Sequence, residues 1–296
     1  MKKIQTLIVT MACVYFLSCT PKVEKETYSF ATQTLGLEQC FNGRELGGYL
    51  LPSGKRIRKG LLLRGGNLRN LTAKDSTILH DKYHLALICD FRSAGERDLN
   101  PDKEIEGARY AFIPIMSDTS VIIRVFPPEA RLDNALWTKN HSSEKYFQDA
   151  ARDMYPSVFE DPYSQQQYSK FFREMLSTKQ GAVYFHCSHG KDRTGMGSLL
   201  LLAALGADRE LMINDFAISN EFFQEKVDRL NAELKAEGKG ETEFAVVQAF
   251  CGINTDFLCM ALDRIDSLYG SMDAYLHNQI GLSDEDIAQL RERYLE

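Results

Sequence analysis

The sequence predicts an α/β fold, with a mostly parallel central sheet flanked by helices and a helical C-terminal half. Two short apolar runs, Leu85 to Arg92 and Ala182 to His186, read as strands buried on both faces. Segments with helix-start signals lie between the strand candidates, which makes βαβ units and parallel pairing. Beyond Met196 the periodic segments are helical.

Ile57 to Arg64 is the first strand candidate and runs into Gly65-Gly66. Thr72 with Asp75 three residues on forms a capping-box pattern, so a helix is predicted from Ala73 to about Tyr83. Leu85 to Arg92 follows, an apolar run that ends in charge, and Tyr110 to Ile115 is a further short strand. Asp161-Pro162 places an N-cap before a proline at the first helical position and starts a helix to about Ser177. Ala182 to His186 is the last strand. Ligands of parallel sheets sit at the C-terminal ends of strands. Asp90 and Cys187 both fall at such ends and converge on one crevice. Residues 116–160 are less regular and contain Pro127-Pro128 and Trp137. Two readings of them stay open: a lid inserted over the site, or a docked helical pair with no gating role. Helices are predicted over Met196 to Leu205, Asp208 to Ala217, Glu221 to Ala236 and Thr255 to Tyr269, with a break at Gly238-Lys239-Gly240. Ser271 and Ser283 cap two short helices at the end.

The chain has 296 residues, 44% hydrophobic and 26% charged, the balance of a globular protein. Its net charge is −6 and it has no long basic block, which argues against nucleic acid as a partner. Lys2 and Lys3 precede an apolar stretch from Ile4 to Leu17 that is too short for a comfortable membrane span. Phe16-Leu17-Ser18-Cys19 then resembles a bacterial lipoprotein processing site with Cys19 as the acylated residue, although Phe16 stands where leucine is usual. A plain signal peptide and an uncleaved anchor are the alternatives. On the lipoprotein reading, residues 1–19 are a signal segment, 20–34 a polar tether and 35–296 the folded domain. The protein is then exported and lipid-anchored at a membrane surface, facing the periplasm or the cell exterior. Of seven cysteines, Cys13 and Cys19 belong to the leader; Cys40, Cys89, Cys187, Cys251 and Cys259 match no zinc or disulfide spacing. They read as buried thiols, with any pairing of Cys40 or Cys89 left open.

The most specific stretch is His186-Cys187-Ser188-His189-Gly190-Lys191-Asp192-Arg193-Thr194-Gly195. A strand, a tight loop and a helix N-terminus put unpaired N–H groups and the positive end of a helix dipole at one point, a setting for phosphate. The same field lowers the pKa of a cysteine held there. Arg193 adds a planar fork for two phosphate oxygens. Thiolate, anion cradle and clamp together call for phosphoryl transfer through a cysteinyl-phosphate. Ser188, His189, Gly190, Lys191, Asp192, Arg193 and Thr194 are the candidate phosphate-binding residues.

This loop resembles the signature of cysteine-based protein tyrosine phosphatases, and with Lys191-Asp192-Arg193 it resembles their atypical bacterial tyrosine/serine branch. Asn42-Gly43-Arg44-Glu45-Leu46-Gly47-Gly48-Tyr49 resembles the N-terminal segment of that branch, with Glu45 in place of the usual Asp. The resemblance implies a phosphatase-type α/β fold and hydrolysis of phosphoprotein monoesters, dual specificity included. It implies Cys187 as nucleophile, Arg193 as clamp, Thr194 as a hydrogen bond to the thiolate and His186 as its orienting neighbour. The general acid is Asp192 or Asp90; Asp192 is preferred, and Asp90 then positions Arg193 or Lys191 or simply pairs with Arg92 or Arg97. Arg44 either reaches phosphate or supports the loop. No metal or other cofactor is expected, since no second histidine stands at ligand spacing from His186. The Gly190-Lys191 step also resembles lipid phosphatases, so a phosphoinositide or inositol phosphate is the alternative substrate. A catalytically inactive phosphate-binding module and a sulfurtransferase are alternatives of other classes.

Overall fold

The structure, a computed structural model, describes residues 26–117 and 144–296. The signal segment with Cys19, the start of the tether, Pro127-Pro128 and Trp137 lie outside the described residues.

Five strands form one sheet: β1 (Arg44–Glu45), β2 (Leu62–Gly65), β3 (Leu85–Asp90), β4 (Arg109–Phe112) and β5 (Ala182–His186). Their order is β1-β2-β5-β3-β4, and β1 alone runs antiparallel. The central β5 is buried along its whole length, which is why Ala182-Val183-Tyr184-Phe185-His186 carries no polar alternation. β5 pairs Phe185 with Arg64 of β2 and His186 with Asp90 of β3, so the strand ends lie level beside Cys187. The first strand is shorter than its apolar pattern. Only Leu62–Gly65 joins the sheet, and Ile57 instead makes a bridge to Leu295. Around that bridge Arg56 N–H donates to Glu296 O, Glu296 N–H to Arg56 O, and Arg58 N–H to Tyr294 O.

The helices are α1 (Phe30–Gln33), α2 (Ala73–Thr77), α3 (Ala94–Leu99), α4 (Glu144–Glu160), α5 (Pro162–Ser177), α6 (Asp192–Leu205), α7 (Arg209–Ala236), α8 (Glu241–Cys251), α9 (Thr255–Tyr269), α10 (Met272–Tyr275) and α11 (Asp284–Tyr294). The Thr72–Asp75 capping box is present in both directions, and Asp161, Ser271 and Ser283 cap their helices. α7 is continuous through Ile218 and Ser219, where the sequence pattern breaks, because both side chains are buried against the core. α8 has no counterpart in the sequence prediction.

Residues 28–30 already touch the domain: Ser29 caps α1, Phe30 N–H donates to Glu221, the Phe30 ring meets Phe222, and Tyr28 packs on Tyr49. Within 116–160, residues 144–160 form α4. It seats Met154, Tyr155, Val158 and Phe159 in the main core, as a docked helix does. Around β5 the rings of Phe91, Tyr168, Phe171 and Phe185 meet edge to face or tilted. The almost entirely buried α6 lies over them, its Gly197 lacking the Cβ that would come 2.9 Å from the Phe91 ring. This packing fixes the α6 N-terminus against the end of β5.

Candidate active site

Cys187 follows β5 directly and is 3% exposed. The loop that leaves it passes close to the end of β2. Gly190 has φ +65°, and a Cβ there would lie 2.2 Å from the carbonyl carbon of Gly65, so both backbone angle and space require glycine. The loop's carbonyls are tied down. Ser188 O accepts from Asn67 Nδ2 (3.0 Å), and Gly190 O accepts from Asn42 Nδ2 (2.8 Å) and Arg64 Nη2 (2.9 Å). Acceptors that would repel an anion are thereby occupied, while α6 offers its N-terminal donors.

The Cys187 thiol has a lowered pKa. Burial pushes it up, but the Arg193 guanidinium and the neighbouring Thr194 outweigh that, against an opposing push from Asp192. Thr194 Oγ1 is buried and has no hydrogen-bond partner among the described residues.

Arg193 is held as a fork by Glu96, with Nη1 to Oε2 at 2.6 Å and Nη2 to Oε1 at 2.7 Å. Glu96 comes from α3, where it closes a capping box with Ser93, and it accepts a further hydrogen bond from Ser188 Oγ. Tyr168 Oη donates to Arg193 O. Burial pushes the Glu96 carboxyl up; Arg193, Ser188 and Ser93 outweigh it and hold it at about 2.

Asp192 opens α6 with its side chain 28% exposed. Its Oδ1 accepts from Tyr155 Oη of α4 at 2.7 Å, while its Oδ2 lies 3.9 Å from Lys191 Nζ. Lys191 points to the C-terminal end of α8: its Nζ donates to Phe250 O at 2.9 Å and approaches Cys251 O and Gly252 O at 3.4 and 3.3 Å. Negative helix ends suit an ammonium. The Lys191 ammonium is thus placed on the carbonyls at the end of α8. His189 is half-buried edge-on to Phe41, and burial followed by Lys191 lowers its pKa to about 4.

Asp90 is placed at the strand end, as expected, but it is buried and fully occupied. Arg92 grips both its oxygens (2.9 and 2.7 Å), and Tyr110 Oη donates to Oδ2 at 2.5 Å. Positioning Arg193 or Lys191, one role expected of Asp90, therefore falls elsewhere: Glu96 holds Arg193, and the α8 carbonyls hold Lys191. The same Arg92 reaches Asp102 at 2.6 Å, and His186 sits between the carboxylates, Nε2 3.2 Å from Asp102 Oδ2. Burial lowers the His186 pKa, but Asp102 and Asp90 outweigh it and raise it overall. Asp90, Asp102 and His186 group closely enough to ligate a metal, yet Arg92 already bridges both carboxylates with its own charge.

Arg44 lies in a cluster behind the loop. It is fully buried, with Nη1 2.5 Å from Asn42 Oδ1 and Nη2 2.8 Å from Asp215 O. Arg64 joins it on Asp215, Nη1 to Oδ2 at 2.5 Å, and Tyr49 Oη donates to Asp215 Oδ1 at 2.9 Å. Glu96, Tyr155, Arg64 and Asp215 were not assigned from sequence. Ser93-x-x-Glu96 is a readable capping box; nothing local marks the other three as neighbours of the loop.

Comparisons with known proteins agree with this geometry. A model described as the tyrosine phosphatase family matches residues 35–296. A Cupriavidus necator protein, named as a candidate tyrosine-protein phosphatase, is 30% identical over 265 residues, 88% of each chain. The triple specificity protein phosphatase PtpB of Mycobacterium tuberculosis is 32% identical over 120 residues, 37% of this chain and 42% of its own. A tyrosine-protein phosphatase of Nostoc commune is 31% identical over 134 residues, 44% of this chain and 45% of its own. The chain belongs to the tyrosine phosphatase family.

The Glu96 pairing predicts a pH signature. The carboxyl falls from its ordinary 4.5 to about 2 on folding, so the unfolded chain binds the proton first as pH drops. Its contribution, on the order of 3 kcal/mol, is complete above about pH 4.5 and is lost as pH falls towards 2. Urea unfolding should show the wild-type advantage over Glu96→Gln shrinking across that window; a constant gap would contradict the pairing.

Proposed function

We propose that this member of the tyrosine phosphatase family is a phosphoric monoester hydrolase that removes phosphate from tyrosine in phosphoproteins through a cysteinyl-phosphate on Cys187. The observation that carries the reading is Cys187, buried between the end of β5 and the N-terminus of α6, with Arg193 of that helix held as a fork by Glu96. The thiolate attacks phosphorus, an S–P bond forms, and the P–O bond to the leaving group breaks. Arg193 stabilises the equatorial oxygens. The acid gives its proton to the leaving oxygen. As a carboxylate it then takes a proton from water, which attacks phosphorus and releases the thiolate to the Thr194 hydroxyl.

Asp192 is the acid in this scheme. It stands one residue before Arg193 and is partly solvent-accessible, whereas Asp90 is buried and held as an anion by Arg92. Tyr155 occupies one Asp192 oxygen and leaves the other for the leaving group. Phosphoinositides are the weaker substrate reading, because Lys191, the cation that suggested them, lies on the α8 carbonyls. Dual specificity is a further possibility within the same pocket, and a Mycobacterium tuberculosis relative carries triple specificity in its name. The membrane anchor rests on Leu17-Ser18-Cys19 and the apolar leader before it.

Cys187→Ser should abolish turnover of an aryl phosphate and of phosphotyrosine peptides while vanadate still binds. Residual turnover within tenfold of wild type would reject the cysteinyl-phosphate. A panel of phosphopeptides against phosphoinositide vesicles, run on the wild type, should favour the peptides; the reverse order would make lipid the substrate. Asp192→Asn should slow esters with poor leaving groups by 100-fold or so, in the range of general acid catalysis, and spare those with good ones. If only Asp90→Asn shows that dependence, the acid is Asp90. For the anchor, radiolabelled palmitate should enter the full chain in a bacterial host and not its Cys19→Ser variant; labelling of both would move the lipid elsewhere.

A further inference from the structure

Near Cys187, Arg193 meets Glu96, and Arg92 meets both Asp90 and Asp102. Behind the loop, two arginines share one aspartate. Arg44 and Arg64 both pair with Asp215, and all three side chains are buried to 1% exposure or less. The remaining partners of that cluster are uncharged at neutral pH: Tyr49, Asn42 and Ser219. Arg64 Nε is buried and has no hydrogen-bond acceptor among the described residues. A buried cation in surplus is costly unless an anion lies near it.

Arg64 brackets Cys187. It lies in register with Phe185, two residues before the cysteine, and its guanidinium reaches Gly190 O, three residues after it. We propose that Arg64, the surplus cation of the Arg44–Arg64–Asp215 cluster, is the countercharge that keeps Cys187 ionised from behind the loop. Arg193 attracts the same thiolate from the other side, but Glu96 neutralises it and an incoming phosphate draws on it. The Arg64 charge touches no substrate oxygen in this role and stays with the sulfur throughout. It is a positioning and charge-setting residue rather than a catalytic one. The reciprocal effect is present: burial and Arg44 lower the Arg64 pKa, while Asp215, Tyr49 and Cys187 raise it. The other titratable groups facing the sulfur are Arg193, Asp192, Tyr155, Tyr168 and Tyr184, and the tyrosines are neutral, their pKa values raised by burial.

The inference rests on Cys187 being the thiolate nucleophile, and its test needs no phosphate ester. The rate of Cys187 alkylation by iodoacetamide, followed by mass spectrometry of its peptide, gives the thiolate midpoint as a function of pH. Arg64→Met should move the midpoint up by about one pH unit or more, a rate about tenfold slower at a fixed pH below it. Arg64→Lys should leave it near wild type, since the charge remains. Asp215→Asn should move it down, because the surplus grows by one. Damage to packing alone would not give shifts of opposite sign from the two ends of one salt bridge. If both changes move the midpoint the same way, or neither moves it, Arg64 is structural only. Should Arg64→Met fail to fold, Asp215→Asn against Arg64→Lys still decides. A low wild-type midpoint without turnover of phosphotyrosine would overturn the proposed function and leave this inference standing.

Discussion

Arg193 and Glu96 meet through two charge-assisted hydrogen bonds where almost no solvent reaches, and the front of the site takes its shape from that contact. A guanidinium buried alone would be unstable; one gripped end-on keeps a fixed plane and still has donors along its side for an anion. Glu96 is itself fixed by the start of α3 and by Ser188 within the loop. The strand end, the short helix after β3 and the phosphate loop are thereby joined through one carboxylate. The same logic recurs behind the loop, where Asp215 of α7 gathers Arg44 and Arg64. Because Gly190 O takes hydrogen bonds from both Asn42 and Arg64, loop conformation and buried charge are a single problem for this fold.

How much of this the sequence reveals depends on how local the cause is. The strand at Ala182 to His186, the turn after Cys187 and the helix at Asp192 each follow from neighbouring residues, and so did their convergence with the end of β3. The capping box at Thr72 and the cap at Ser283 were legible for the same reason. The partners of the charged residues were not. Glu96 stands 97 positions from Arg193, and Asp215 stands 151 from Arg64. A sequence shows that a charge is present, not which opposite charge the fold will bring to it. Lys191 illustrates the cost: nothing beside it in sequence shows that its ammonium will meet the carbonyls at the end of α8. The short β1 pairing and the continuity of α7 were hidden because tertiary burial, rather than local pattern, decides them.

Asp192 also links the site to the region whose pattern was hardest to interpret. Its contact with Tyr155 places a hydroxyl from α4 inside the first turn of α6. Tyr155 stays protonated, because burial and the Asp192 charge raise its pKa far above neutrality, so it remains a donor at working pH. A helix entering from residues 144–160 is in this way part of the immediate surroundings of Asp192, beside its role in the core.

The backbone bridge between residues 56–58 and 294–296 carries a consequence for folding. The segment leading into β2 pairs on one side with residues 48–51, close in sequence, and on the other with residues some 240 positions later. Until residues 294–296 arrive, one side of that segment lacks its backbone partners. The sheet can form from contacts nearer in sequence, whereas that seam closes through a contact of very long sequence separation, a slow kind of step in folding.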